Sequence, residues 1–205
     1  MSKTISVVIA EDEAIIRLDL KESLEAEGYA VVGETGRGDE AIDLVRMLEP
    51  DLVILDIKMP GMNGIDAARV ISEEGLAAVI LLTAFSQQDL IQEASNAGVL
   101  AYLVKPFQRS DLVPSIELAL GRFKEISDLK QETLMLRESL QTRKLVDRAK
   151  GLLIDNYGLK EGDAYRYLQK KAMEDRTTMK AVAEDILTDT SRLDSDPPEK
   201  MDKKS

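Results

Sequence analysis

The chain has 205 residues, 44% of them apolar and only 4% aromatic, with no His, no Cys and a formal net charge of −11. That size suits one medium domain plus a small one, and the composition favours a helix-rich α or α/β class over an aromatic-rich β-sandwich. Without His or Cys there can be no Ser-His-Asp or Cys-His nucleophile, histidine base, disulfide, zinc–thiolate or iron–sulfur site, and any metal must be hard and oxygen-bound: Mg²⁺, Mn²⁺ or Ca²⁺.

No apolar run reaches the roughly 18 residues of a membrane span. The start, MSKTISVVIAEDE, carries a short apolar run ending in acids and is no signal peptide. The expectation is a cytoplasmic protein with no membrane partner. The charge is uneven. Residues 1–120 hold 9 Lys+Arg against 21 Asp+Glu, net −12, whereas residues 121–190 hold 14 against 13, net +1. The two halves are therefore read separately.

In the first half, apolar runs come at 6–10 (SVVIA), 30–33 (AVVG), 52–55 (LVIL), 78–82 (AVILL) and 100–104 (LAYLV). They do not alternate with polar residues, which suits strands buried on both faces of a parallel sheet. Stretches of helical spacing lie between them, at 14–27 (with Ile15, Leu18 and Leu24 read as one stripe), 39–48, 65–73, 86–97 and 110 onward. Strict alternation predicts a doubly wound five-stranded parallel sheet with right-handed crossovers. Ligands of such a sheet bind beyond the C-terminal strand ends.

The fifth helix has no Gly or Pro stop. Pro114 is read in its first turn, where a missing N–H is tolerated, and Gly121 weakens the helix without breaking it. Ile126, Leu129, Leu136 and Leu140 follow heptad spacing, with Thr133 and Arg143 interrupting the seam. A short, weak coiled coil fits, as does one side of an intrachain bundle. Two helices follow at 161–173 and 178–187, with Thr177 as candidate N-cap. Residues 190–205 are polar, hold two prolines and read as a disordered tail.

Strand ends carry polar groups: Glu11 and Asp12 after the first, Asp56 after the third, Thr83 after the fourth, Lys105 after the fifth. Parallel strands bring these ends to one rim. Carboxylates crowded there repel unless a cation sits among them, and Mg²⁺ is the natural occupant. Carboxylate, metal, hydroxyl and ammonium together make a phosphoryl-transfer site with an Asp nucleophile.

The segments VVIAEDE, LVILDIKMPGMNG, ILLTAF and AYLVKPF resemble the motifs of the two-component response-regulator receiver domain over residues 5–120. The resemblance implies a flavodoxin-like sheet of order 2-1-3-4-5 and a phosphoacceptor at Asp56. It also implies Mg²⁺ (or Mn²⁺) held by Glu11, Asp12, Asp56 and the backbone carbonyl of Lys58. Thr83 and Lys105 would bind the phosphoryl group, and Tyr102 would be the aromatic that moves with Thr83. A duller reading of Tyr102 is a half-buried strand aromatic. The Lys105–Pro106 bond is usually cis in that family. The phosphodonor would be a sensor histidine kinase. The only chemistry expected is self-phosphorylation and autodephosphorylation at the Asp, so the chain is no enzyme in the ordinary sense.

Residues 143–183 hold 10 basic and 6 acidic residues. Arg143, Lys144, Arg148 and Lys150 cluster at the end of the long helix, and Lys170, Lys171, Arg176 and Lys180 follow. Lys144 and Arg148 share a helix face, as do Arg143 and Lys150. A solvated basic face and a polyanion contact both fit. The segment AKGLL, then Asp163-Ala164-Tyr165, Leu168, Ala172-Met173, Arg176 and Val182-Ala183 resemble the ANTAR domain, an RNA-binding antiterminator module, over about 125–188. That family often caps its second helix with Ser or Thr, and Leu159-Lys160-Glu161 lacks this cap. The resemblance implies binding to paired RNA stem-loops in nascent transcripts, and a homodimer on phosphorylation. Arg143, Lys144, Arg148, Lys150, Arg176 and Lys180 are the candidate RNA contacts. Tyr165 is read as core, with stacking on a base as its alternative. The expected division is a receiver over 1–120, a connector over 121–142, an RNA-binding module over 143–189 and the tail over 190–205. Competing readings keep the receiver but give the module a DNA or protein partner, or make the chain a small-molecule phosphotransferase or phosphatase.

Overall fold

A computed structural model describes residues 4–84 and 94–188. The expected tail, and the expected helix over 86–97 except for its last residues, lie outside the described residues. In chain order the elements are β1 Ser6–Ala10, α1 Ala14–Ala26, β2 Ala30–Thr35, α2 Gly38–Leu48, β3 Leu52–Asp56, α3 Gly64–Glu74, β4 Ala78–Ala84, β5 Ala101–Lys105, α4 Arg109–Tyr157, α5 Glu161–Glu174 and α6 Met179–Thr188. The strands form one five-stranded parallel sheet of order β2-β1-β3-β4-β5.

Both sheet faces are covered, as expected for βαβ crossovers. On one face Val8, Val53, Leu55, Val79 and Leu81 pack with Ala41 and Val45 of α2 and Ala68 and Ile71 of α3. On the other, Val7, Ile9, Ile54, Ile80 and Leu103 pack with Leu20 and Leu24 of α1 and Leu112 and Ile116 of α4. β3 is buried along its whole length. The edge strands differ from the expectation: Val32 on β2 and Tyr102 and Val104 on β5 are exposed. An edge strand has a neighbour on one side only, so its outer residues reach water.

The α1 stripe is corrected. Its buried face is Leu20, Ser23 and Leu24, while Ile15 (85% exposed) and Leu18 point outward. Ile15 and Leu24 are nine residues apart, which is two and a half turns, so one face cannot hold both.

α4 runs unbroken from Arg109 through Gly121. Asp111 accepts from the Gln108 amide at 2.9 Å, the return arm of a capping box. Pro114 is therefore the sixth helical residue, not a first-turn residue, and removes the amide that would bond Ser110. Residues 124–141 of α4 are exposed.

The chain divides into two compact units, Met1–Leu129 and Lys130–Ser205. The second has its own core: Val146, Ala149 and Leu153 of α4, Leu159, Ala164, Leu168 and Ala172 of the α5 region, and Val182, Ala183 and Ile186 of α6. Lys160 precedes α5 with no side-chain cap bond, as the sequence suggested. The α6 cap is Thr178, whose hydroxyl accepts from the Ala181 amide at 3.2 Å, not Thr177. Among the described residues no helix is long and apolar enough to cross a membrane.

Leu168 is fully buried in this small core. Leu168→Ala is expected to cost about 2–5 kcal/mol, read as loss of helical signal at lower denaturant. An unchanged midpoint would mean that the three helices do not pack as one core.

Candidate functional site

The site is built from strand ends. Pairing of β1 with β3 sets Ala10 beside Leu55, so Glu11 and Asp56 follow as neighbours at the rim. β4 pairs with β3 at Asp56–Leu82 and with β5 at Ala84–Lys105, which brings Thr83 and Lys105 to the same edge. Glu11, Asp12 and Asp56 each present a carboxylate oxygen within 4.8 Å of the others.

Lys105 Nζ lies 2.6 Å from Glu11 Oε2 and 2.7 Å from Asp56 Oδ1. One ammonium therefore contacts two carboxylates from two different strands. Glu11 Oε2 is buried, and the Lys105 ammonium is the charge it meets. Burial pushes the Glu11 carboxyl above its ordinary pKa; the Lys105 ammonium pulls it down and Asp56 adds to the rise. Burial works against the charged form of Lys105, but its bonds to Asp56 and Glu11 outweigh that and raise it.

The backbone fixes these groups. The Lys58 amide donates to Asp56 Oδ2 at 3.0 Å, and the Glu13 amide donates to Glu11 Oε1 at 3.2 Å. The Arg17 guanidinium donates to the Glu11 carbonyl. Thr83 is nearly buried and its hydroxyl donates to the Ala84 carbonyl at 3.2 Å. The Lys105–Pro106 bond is cis. Tyr102 is 50% exposed on the edge strand, so its ring is partly in solvent.

The donor set is hard oxygen, three carboxylates whose oxygens lie within 4.8 Å of one another. The residues fit Mg²⁺ or Mn²⁺.

Some contributors carried no signal in the sequence reading. Gly64 opens α3 where a Cβ would stand 1.9 Å from the Asp56 carbonyl oxygen. At Gly38, the first residue of α2, a Cβ would stand 2.1 Å from the Met62 carbonyl oxygen. Only bare backbone lets these helix starts press against the loop after Asp56. The motif LVILDIKMPGMNG contains Gly64, but the contact that requires it is not sequence-local. Asn63 caps α3 by accepting from the Asp66 amide at 2.8 Å.

In the second unit, Lys144 and Arg148 are exposed on one face of α4. Arg143 faces Asp147 at 4.0 Å. Lys150 contacts Asp147 at 2.9 Å and Glu161 at 3.0 Å, tying α4 to the start of α5. A polyanion at Lys150 would compete with both. Arg176 is exposed in the turn before α6 with φ of 50°, a left-handed conformation unusual for a side chain. Lys180 is half-buried on α6. Tyr165, read as core, is exposed, and Tyr167 packs on the core instead. Tyr165 lies at the border of the Ala164–Leu168–Ala172 stripe, just outside it.

Comparison with known proteins agrees with this geometry. Family models for the response regulator receiver domain and the ANTAR domain match residues 7–117 and 135–187. Transcriptional regulatory protein PdtaR of Mycobacterium tuberculosis is 56% identical over 181 residues, 88% of each chain. Chemotaxis protein CheY of Thermotoga maritima is 41% identical over 111 residues, 54% of this chain and 92% of its own. Among solved structures, the signal receiver domain of a modulated diguanylate cyclase from Desulfovibrio desulfuricans covers 60% of this chain and 98% of its own, with TM-score 0.56 and 28% identity. The receiver domain of the response regulator NarL from M. tuberculosis covers 58% and 98%, with TM-score 0.56 and 26% identity.

Gly64→Ala is expected to destabilise the first unit by about 1–3 kcal/mol, because backbone, not a flexible side chain, must yield. Chemical denaturation checks this; an unchanged stability would mean that the loop after Asp56 relaxes freely.

Strand order, rim chemistry and the two family matches agree, and the chain belongs to the two-component response regulators, with an N-terminal receiver domain and a C-terminal ANTAR domain.

Proposed function

We propose that the chain accepts a phosphoryl group on Asp56 and, in response, binds RNA stem-loops in nascent transcripts and promotes antitermination. The observation that carries the first half is the single ammonium of Lys105 set between Glu11 and Asp56, beside a third carboxylate. A carboxylate oxygen of Asp56 attacks the phosphorus of a phosphohistidine. The P–O bond forms, the P–N bond breaks and the imidazole leaves with a proton from solvent. The chain has no His, so a sensor histidine kinase supplies this donor. Hydrolysis of the acyl phosphate by water returns the carboxylate and inorganic phosphate. No other substrate is turned over.

Glu11, Asp12, Asp56 and the Lys58 carbonyl would hold Mg²⁺ or Mn²⁺, which when bound offsets the charge on the transferring oxygens. The Lys58 amide orients Asp56. Lys105 and Thr83 receive the phosphoryl oxygens, for which Lys105 leaves Glu11 and Thr83 leaves the Ala84 carbonyl. Tyr102 follows Thr83 and changes the β4–β5 edge.

For the second half, the ANTAR match and the exposed Lys144–Arg148 face support RNA as the ligand. Arg143, Arg176 and Lys180 extend this basic surface, while Lys150 is already paired. Phosphorylation shifts the chain toward a homodimer, which sets two RNA-binding units on one transcript. The cytoplasm, which holds both the kinase's output and the nascent transcript, is the site of action.

Asp56→Asn is expected to abolish phosphate incorporation from acetyl phosphate and Mg²⁺; continued labelling would remove Asp56 as the acceptor. Lys144→Ala with Arg148→Ala is expected to weaken stem-loop RNA binding and reduce its salt slope by about 1.5. An unchanged slope would put the RNA elsewhere. Equal affinity for duplex DNA of the same sequence would replace RNA with DNA as the ligand.

A further inference from the structure

We propose that Arg17 is a positioning residue for the metal ligands. Its guanidinium, bonded to the Glu11 carbonyl, sets the peptide that joins Glu11 to Asp12, and with it the placement of both carboxylates at the rim. This rests on the metal reading above and adds a residue that touches neither the ion nor the phosphoryl group.

Arg17 goes against the preference of its own helix. It lies one turn into α1, whose first turn holds no acid and whose N-cap, Glu13, makes no side-chain cap bond. The N-terminal end of a helix favours negative charge, and long helical side chains lean back toward that end. The guanidinium therefore sits where the helix disfavours a cation. Nor is it there for a carboxylate. Acids stand at 11, 12 and 13 before it and at 19 and 22 after it, yet no ion pair among the described residues includes Arg17. Its bond goes to the main chain. A local choice that conflicts with its element points to a task outside that element.

The bond completes a two-sided grip on Glu11. The Glu11 amide donates to the Thr35 carbonyl at 3.0 Å, so β2 holds the peptide before Glu11 and α1, through Arg17, holds the peptide after it. A peptide turns as a plane. Turning this one changes ψ of Glu11 and φ of Asp12, and with φ the direction in which the Asp12 carboxylate leaves the chain. Asp12 is exposed, and no hydrogen bond among the described residues holds its carboxylate, so the backbone aims it. Gly36, just past β2, backs the arrangement: a Cβ there would stand 3.5 Å from Arg17 Nη1 and 3.5 Å from the Asp12 Cα. Arg17 itself is half-buried.

Charge and positioning predict opposite signs. A guanidinium beside a cation site repels the cation, so a residue acting through charge alone would tighten metal binding when removed. A residue that places ligands weakens binding when removed, by about tenfold or more.

The test uses the full chain, titrated with Mn²⁺ without phosphodonor, the free ion being read by electron paramagnetic resonance. Arg17→Ala is expected to raise the Mn²⁺ Kd about tenfold. Arg17→Lys, which keeps the charge and one possible donor, is expected to fall between Arg17→Ala and the parent. Arg46→Ala, which removes a guanidinium bridging α2 and α3 at Glu74, is expected to bind as the parent does. In labelling with acetyl phosphate, the Mg²⁺ concentration for half-maximal rate rises with Arg17→Ala, and the plateau at saturating Mg²⁺ stays that of the parent. Equal or tighter Mn²⁺ binding by Arg17→Ala, beside a parent that binds, overturns the positioning role and leaves the metal reading standing. An equal loss in Arg46→Ala also overturns it, as general loosening, and so does a plateau that saturating Mg²⁺ fails to restore. If Arg17→Ala loses its helical signal, Arg17→Gln carries the same comparison, with weaker binding supporting the role and equal or tighter binding overturning it. A parent that binds no Mn²⁺ removes the metal reading and this role with it.

Discussion

One ammonium holds the receiver rim together. Three carboxylates gathered within 4.8 Å would drive each other apart, and Lys105 is placed where its charge meets two of them. It reaches them because β1 and β3 are neighbours in the sheet and β5 ends at the same edge. The order of the strands is therefore an electrostatic requirement of the site as well as a packing result. It also makes the site responsive. A group that brings its own negative oxygens to Asp56 competes for Lys105, and Lys105 sits at the end of the edge strand that carries Tyr102.

The two halves of the chain divide the labour by charge. The first half is acidic, and three of its carboxylates gather where a cation and a phosphoryl group would meet them. The second half spends several of its bases on internal pairs, as with Lys150 between Asp147 and Glu161. It leaves others, Lys144 and Arg148 among them, in water. Its core is made by three helices that each contribute few residues, so its fold depends on a handful of fully buried side chains such as Ala149, Leu153 and Leu168.

Much of this was legible in the residues. Runs of Val, Ile and Leu that never alternate mark strands covered on both faces, and β1 and β3 follow them within a residue. The rim was legible because parallel strands all end at one edge, so a polar residue after each run is enough to locate it. What was not legible depended on geometry between distant segments. Glycines at 38 and 64 look like ordinary helix starts until the loop after Asp56 is seen to press on both. The exposed sides of β2 and β5 follow from sheet order, which periodicity does not encode. Ile15 is apolar yet faces water, because nine residues set it half a turn out of phase with the buried Leu24. Tyr165 and Tyr167 differ by two residues, enough to move one to the core and the other to solvent.

The most direct measurement is the structure of the receiver rim with Mg²⁺ and beryllofluoride, a phosphoryl mimic. The account predicts beryllofluoride on the Asp56 carboxylate, the metal on Glu11, Asp12 and Asp56, and Lys105 withdrawn from Glu11 to a fluoride. A rim without beryllofluoride, with Lys105 still lodged between Glu11 and Asp56 at saturating concentrations, would contradict it.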